Sequence, residues 1–351
     1  MRRISILNQP AVVLSDRETI LAAALDAGVP YPHDCRTGSC GSCKSKLLEG
    51  EVEMLPHPAE GLDDEEAADR LILACRACAK TDIVVEWLGE ADDEAPPVRG
   101  LDAEVCDIGL IAPAVSRLRL SVAGQPMFFA AGQYAELRFG RTPARAFSMA
   151  NVPSDPVLEF HIRHINGVAS GHVAEKLKIG DPVRLKGPYG SAYFRPHGRP
   201  ILAIAGGVGM APLHSIIRTA LNRDPDARID LYWGVRDEPD LYGGGELDAL
   251  ATRHPNFRFV PVLSAPNEST EHRIGMVHEA VEQDFARLSG HVVHIAGPPE
   301  MVDRAKDVAM ACGADPSAIY SDPFLPPAKE EAGGFLRSVF SLGALVRRPA
   351  G

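Results

Sequence analysis

The sequence predicts a multidomain chain that joins an α+β unit, an antiparallel β-barrel and a doubly wound parallel α/β sheet. Three observations carry this expectation. The length, 351 residues, exceeds what one hydrophobic core usually serves. The middle of the chain is built of short apolar runs broken by Gly, Pro and Asp. The last third alternates apolar strand-like runs with helical stretches. Composition is that of a globular chain, 45% hydrophobic and 24% charged, with no repeat at a fixed period.

The first segment, residues 1–90, has strand-like runs at Ile4–Leu7, Ala11–Leu14 and Ile83–Trp87. They enclose one helical stretch, Glu18–Ala27, which Gly28, Pro30 and Pro32 bring to an end. Residues 91–99 lie in the acidic, Pro-paired stretch GEADDEAPPVRG and read as a linker. The second segment, residues 100–198, carries runs at Ser116–Val122, Tyr134–Phe139, Val157–Ile165 and Pro182–Lys186. With one helix expected from Ser170 to Leu177, it reads as a small antiparallel barrel. The third, residues 199–327, places strands in PILAIAGG, RIDLYWGV, FRFVPVLS and HVVHIAGPP. Helical stretches over 212–222, 246–253, 276–288 and 299–312 separate them, which is the alternation of a parallel sheet covered on both faces. A C-terminal tail, 328–351, is apolar and basic-ended, and too short to span a membrane.

The net charge of −11 is uneven: residues 1–95 hold 9 Lys+Arg against 19 Asp+Glu, and the remainder is nearly balanced at 27 against 28. An acidic first module argues against nucleic acid and for a face that docks a basic protein surface. The N-terminus does not read as a signal peptide, and no apolar run approaches the roughly 20 residues of a membrane helix. The expected location is cytoplasmic, a reducing compartment in which disulfides are rare.

PHDCRTGSCGSCKSKL carries Cys35, Cys40 and Cys43, and Cys75 follows after 31 intervening residues. Three thiolates on one loop and a fourth from later in the chain is the plant-type [2Fe–2S] spacing. Such a cluster is anionic, so the loop must turn backbone N–H groups inward. Gly38, Ser39, Gly41 and Ser42 are small enough for that wrap, and Arg36 and Lys44 are expected to add positive charge. A zinc site would need Cys75 and Cys78 as a second pair, which leaves Cys35 unused. Spacing alone leaves Cys75 and Cys78 as rival fourth ligands. Cys106 and Cys312 read as ordinary small buried residues, as does Cys78 if it is not a ligand.

Further motifs follow in order: Arg145-Ala146-Phe147-Ser148 before MAN, HIRHINGVASGHV, GPYG, AIAGGVGMAPLHSII, WGVRDEPDLYGGGEL, HIAGPPEM and YSDPFLPP. Gly167, Val168, Ala169 and Ser170 offer backbone N–H groups at a helix start, an anion site, although Ser170 also reads as a plain N-cap. In AIAGGVGM a strand runs into Gly206 to Gly209 and then a helix, a turn through which backbone can approach a pyrophosphate.

Along nearly its whole length the chain resembles NAD(P)H-dependent oxygenase reductases with an N-terminal plant-type [2Fe–2S] ferredoxin domain. These are relatives of the ferredoxin–NADP reductases that serve aromatic-ring dioxygenases and related oxygenases. The resemblance implies a β-grasp ferredoxin, a six-stranded FAD-binding barrel and a nicotinamide-binding α/β domain. In LILACRACAKTDI it puts Cys75 in the ligand position, giving Cys35, Cys40, Cys43 and Cys75 as the cluster set. It implies that Arg145 pairs with the FAD pyrophosphate, that Phe147 packs on the flavin and that Ser148 bonds near flavin N5. Arg163 and His164 would flank phosphate and adenosine, and Gly167 to Ser170 would take the second phosphate. Gly207, Val208, Gly209, Arg236, Gly297 and Pro298 would hold the nicotinamide nucleotide, and Phe324 would cover the flavin until nicotinamide displaces it, or else sit in the core.

Two departures stand out, Phe147 where the family has Tyr and Ala296 where it has Cys. Asp237 beside Arg236 favours NADH over NADPH, although Arg236 alone argues the other way. The implied path runs from NADH through FAD to the cluster and out to a separate acceptor, since a flavin takes a hydride and releases single electrons. The chain has no Cys-x-His pair and no Glu-x-x-His, so oxygen chemistry is expected in a partner, a terminal oxygenase docking near the acidic ferredoxin domain. The alternatives are a reductase for another one-electron acceptor, such as a deoxysugar dehydratase, and a redox-sensing or carrier protein without turnover.

Overall fold

The N-terminal acidic unit folds because its first helix is capped and buried on a mixed sheet. The computed structural model describes residues 1–7, 9, 12–14, 18–89, 96–124, 126–165 and 167–324. The expected tail and linker residues 91–95 lie outside these. Strands β1 (Arg2–Ile6) and β2 (Val12–Leu14) precede helix α1 (Ile20–Asp26). After the cysteine loop come β3 (Lys44–Glu49), β4 (Val52–Met54), α2 (Asp64–Ala68), β5 (Leu71–Leu73), β6 (Ala77–Ala79) and β7 (Ile83–Trp87). The sheet order is β2-β1-β7-β3-β5, with β1 and β7 parallel and the other pairs antiparallel. Helix α1 begins where Thr19 Oγ1 accepts the Ala22 N–H at 3.2 Å, and it buries Ile20, Leu21, Ala23, Ala24 and Leu25. The acidic helix α2 is set by an Asp63/Glu66 capping box and buries none of its residues.

The second unit is a six-stranded antiparallel sheet of order β11-β10-β13-β8-β9-β12. Its elements are β8 (Arg99–Ala112), β9 (Val115–Val122), β10 (Tyr134–Phe139), β11 (Arg145–Ser148), β12 (Val157–Arg163), α3 (Val168–Glu175) and β13 (Pro182–Tyr189). The edges β11 and β12 meet through a Met149–Phe160 bridge and the Ala150 N–H to Glu159 O bond of 2.8 Å, so the sheet nearly closes. Strand β8, the longest, is absent from the runs expected above. Its Gly100, Asp102, Asp107 and Gly109 resemble turn chemistry, whereas its pairing with both β13 and β9 keeps it extended.

The third unit is a parallel sheet of order β17-β16-β15-β14-β18-β19. It runs β14 (Ile201–Gly206), α4 (Met210–Arg223), β15 (Ile229–Val235), α5 (Gly244–Arg253), β16 (Phe257–Leu263), β17 (Arg273–Ile274), α6 (Val277–Asp284), β18 (Val292–Gly297), α7 (Pro299–Ala311) and β19 (Ile319–Pro323). Every residue of β14 and β18 is buried, which is why these strands read as continuous rather than alternating apolar runs. Chain order reverses between β14 and β18, so the crevice at their C-terminal ends is the switch point of the sheet.

Candidate functional site

The cysteine loop is shaped by left-handed backbone at Arg36 (φ 59°), Gly38 (φ 93°) and Gly41 (φ 73°). Gly61 lets the approach to α2 pass against it, since a Cβ there would fall 1.7 Å from Gly38 O. The Cys35 Sγ accepts the Cys40 N–H at 3.4 Å and the Ser39 Oγ–H at 3.5 Å. The four expected thiols come together as two contacting pairs. Contact with Cys40 lowers the Cys35 thiol while Cys35 raises Cys40; likewise Cys75 lowers Cys43 and Cys43 raises Cys75. Cys78 stands apart on β6, opposite Glu53, and its thiol is raised by burial and then by Glu53. Among the described residues no three of His, Cys, Asp or Glu close on one point as at a mononuclear metal site. Two pairs suit a dinuclear cluster instead, with two thiolates for each iron.

Three expectations need correction here. Arg36 does not supply charge to the cluster loop: its Nη1 lies 3.0 Å from Glu136 Oε1 and its guanidinium 3.7 Å over the Tyr189 ring, both on the barrel. Lys44 does lie along the loop, its Cε 3.4 Å from where a Cβ on Gly41 would stand, but its charge is paired with Glu66. Cys106 is exposed on β8, where the strand's alternation turns it outward, and Cys78 and Cys312 are only half-buried.

On the barrel, Arg145 and Phe147 are half-buried on β11 and Ser148 is buried. Arg145 Nη1 donates to the Ala144 carbonyl at 2.9 Å, leaving the rest of its donor fork for an anion. Phe147 packs at the edge of the barrel core, its ring 6.2 Å from Phe139. Gly167, not Ser170, is the N-cap of α3, and no side chain caps it. Ser170 lies in the first turn and donates to Ile165 O at 2.9 Å. The first N–H groups of Val168, Ala169 and Ser170 are therefore uncapped beside a cavity of about 470 Å³ lined by Arg141, Thr142, Gly167 and His172. His164 Nε2 is 2.8 Å from Ser116 Oγ, while Arg163 is exposed and its Nη1 would lie 3.9 Å from a Cβ on Gly207.

The nicotinamide candidates gather at the switch point. Gly207 (φ 52°) and Gly209 form a 3₁₀ turn leading into α4, and the Trp233 indole N–H donates to Gly207 O at 2.9 Å. A Cβ on Gly209 would stand 2.0 Å from Ala296 O, so the turns after β14 and β18 are in contact. Pro298 caps α7, and the Phe324 N–H bonds Gly297 O at 2.8 Å, which brings the half-buried Phe324 to the same crevice. Arg236 is exposed just past β15, the strand beside β14.

Sequence reasoning missed Asp322. It lies opposite Ala296 in the β18–β19 ladder, and Ser148 Oγ donates to its Oδ2 at 3.2 Å, 174 positions away in the chain. Burial pushes its carboxyl up to about 7, with the charge of Asp34 acting the same way and the Ser148 hydroxyl opposing. No local pattern around SDPF marks this role, because it arises only when β19 meets β11.

Comparison with known proteins agrees with this layout. The chain matches the 2Fe-2S iron-sulfur cluster binding domain over residues 6–80, the oxidoreductase FAD-binding domain over 104–194 and the oxidoreductase NAD-binding domain over 203–307. It is 38% identical over 88% of its length to the reductase subunit of an Amycolatopsis aromatic O-demethylase, covering 94% of that protein. It is 37% identical over 84% of its length to the reductase component of phenol 2-monooxygenase from Pseudomonas sp. strain CF600, covering 86% of it. The crystal structure of an Amycolatopsis cytochrome P-450 reductase superposes with a TM-score of 0.86 at 37% identity, over 93% of this chain and all of that one. The fold and its three sites define a flavin and iron–sulfur oxidoreductase of the ferredoxin–NAD(P)⁺ reductase type. The chain belongs to the reductase components of multicomponent oxygenase systems, those with a [2Fe–2S] domain ahead of FAD- and NAD-binding domains.

Proposed function

We propose that this reductase draws its electrons from NADH and delivers them to a terminal oxygenase acting on an aromatic compound. The observation that carries the reading is convergence: Ser148 of the barrel bonds Asp322 of the α/β unit, and Tyr134, opposite Ser148 on the neighbouring strand, bonds the Asp34 carbonyl next to Cys35 of the ferredoxin unit. When bound, FAD accepts a hydride and releases electrons singly, and a [2Fe–2S] cluster carries them one at a time. Cys35 with Cys40, and Cys43 with Cys75, would each hold one iron. Arg145 and the α3 N-terminus would bind the two FAD phosphates, and Phe147 would offer its ring without the hydroxyl of the family's tyrosine. Gly207 to Gly209, Gly297 and Pro298 would admit the nicotinamide nucleotide, and Ala296 leaves a methyl where the family has a thiol.

The preference for NADH rests on charge. The Asp237 carboxylate accepts the Glu238 and Asn267 N–H groups at 2.9 and 3.2 Å, and the Asn267 bond foremost holds its pKa below the usual range. It therefore stays ionised and repels a 2′-phosphate, while its capacity to bond a ribose hydroxyl is partly engaged. Asp237→Asn should raise the NADPH to NADH ratio of kcat/KM, and an unchanged ratio would remove Asp237 from the account. The partner is read to dock on the acidic face of α2, which adjoins the exposed Cys40 side of the loop. Reconstitution with candidate oxygenases, measuring product formed per NADH consumed, tests the acceptor. The Amycolatopsis relative favours a second acceptor class, a haem monooxygenase, in the same assay.

A further inference from the structure

Arg36 follows the first cysteine of the loop, yet its side chain leaves the ferredoxin unit. Its backbone is left-handed (φ 59°), a conformation unfavourable to any residue with a Cβ. Such a residue persists where its surroundings over-determine it. Here the surroundings are the barrel: Glu136 of β10 at 3.0 Å and the face of Tyr189 of β13 at 3.7 Å. Beside it the Tyr134 hydroxyl donates to the Asp34 carbonyl at 3.1 Å, one residue before Cys35. Tyr134 and Tyr189, with rings 5.7 Å apart, pack into the hydrophobic core of the ferredoxin unit rather than that of their own barrel. In the β10–β11 ladder Tyr134 stands directly opposite Ser148. A short connected path thus runs from the flavin residue Ser148, across one strand pair, through a hydrogen bond to the segment carrying Cys35.

We infer that Arg36, seconded by Tyr134, is the positioning residue for electron transfer between flavin and cluster. It pins the Cys35 side of the loop to β10 and β13 and leaves the Cys40 side exposed. The loop then has a fixed entry side facing the barrel and an exit side facing the acceptor, and the ferredoxin unit passes electrons without swinging away from the barrel. A second tie, Lys186 Nζ to Asp26 Oδ1 at 2.5 Å, holds the same two units at a distance from the loop. The inference rests on the reading of Cys35, Cys40, Cys43 and Cys75 as cluster ligands and adds to it a geometry.

The test uses the full chain with flavin and cluster bound, mixed anaerobically with NADH and followed by rapid absorbance. Arg36→Gly removes the clamp while suiting the left-handed backbone, so the loop keeps its shape; Arg36→Lys keeps the charge and loses the planar stack. Flavin reduction by NADH and ferricyanide turnover should match wild type in both. Cluster reduction should slow by about tenfold or more in Arg36→Gly, as ångström-scale misplacement of reacting groups does, and by less in Arg36→Lys. The cluster spectrum and midpoint potential should stay those of wild type. Cluster reduction at the wild-type rate in Arg36→Gly would overturn the clamp, as would a slowing that merely tracks a shifted potential. Faster cytochrome c reduction would overturn it too, by showing that release of the domain is productive. Should Arg36→Gly fail to hold a cluster, Tyr134→Phe, which leaves the loop sequence intact, decides: several-fold slower cluster reduction supports the inference and no change rejects it. Wild-type protein that binds no cluster on reconstitution refutes the ligand reading itself and is distinguishable from every outcome above.

Discussion

Gly209→Ala isolates one contact on which the proposed nicotinamide site depends. Gly209 has ordinary helical backbone (φ −58°, ψ −13°), so no torsional reason requires glycine there, and as the N-cap of α4 it gains no interior helix propensity from alanine. The obstacle is spatial: the new Cβ would stand 2.0 Å from Ala296 O, 2.4 Å from Ala296 C and 2.8 Å from Gly297 N. All three are backbone atoms at the end of a fully buried strand, so no side chain can rotate away. The turn must retreat by about 1 Å or more, and overpacking of this kind costs about 1–3 kcal/mol. Displacement on that scale lowers turnover by about 100-fold. The assay is steady-state NADH oxidation with ferricyanide, with flavin and iron content measured on the same sample. Photoreduction of the flavin, which bypasses NADH, should still reduce the cluster normally. Wild-type kcat and KM for NADH in Gly209→Ala would refute the reasoning, because the crevice between β14 and β18 would then not be the nicotinamide site.

Other outcomes follow from buried groups and close approaches. Asp322 titrates near 7 in the fold and near 3.9 when unfolded, so between those values the native state holds a proton that the unfolded chain has lost. Stability therefore falls as pH rises through that window, by at most about 4 kcal/mol for this group. Asp322→Asn should flatten the fall in Tm between pH 5 and 8, and a variant profile parallel to wild type would reject the assignment. Gly61→Ala drives a Cβ to 1.7 Å from Gly38 O, and should reduce cluster content with flavin content unchanged, as read by visible absorbance. Thr19→Ala removes the α1 cap and should cost about 1 kcal/mol in denaturant unfolding.

The parts legible in sequence are those whose signal is local. The Cys35, Cys40 and Cys43 spacing, the Gly-rich turn after a strand and the β/α alternation each lie within a short window, and the alternation folds into the parallel sheet it predicts. Strand β8 was not legible because its Gly and Asp residues imitate a linker, and only its two neighbours keep it extended. Ser170 imitated a cap because a hydroxyl near a helix start has the same signature whether it caps the helix or, as here, bonds Ile165 O. Arg36 was misread for a different reason. Proximity in sequence to a ligand says nothing about which domain a long side chain reaches, and its partners Glu136 and Tyr189 lie far later in the chain. Asp322 sits inside the YSDPFLPP motif, but nothing in that motif marks its role, since its environment is made by other domains.

The central proposal is an electron path that leaves through a cluster held by Cys75 and not Cys78. The most direct measurement compares the visible and electron paramagnetic resonance spectra of Cys75→Ser and Cys78→Ser, with ferricyanide and cytochrome c turnover on the same preparations. Cys78→Ser should keep the cluster and both activities, whereas Cys75→Ser should lose the cluster and cytochrome c reduction while ferricyanide reduction survives. A cluster lost in Cys78→Ser and kept in Cys75→Ser would contradict the proposal, and so would cytochrome c reduction at the wild-type rate without a cluster.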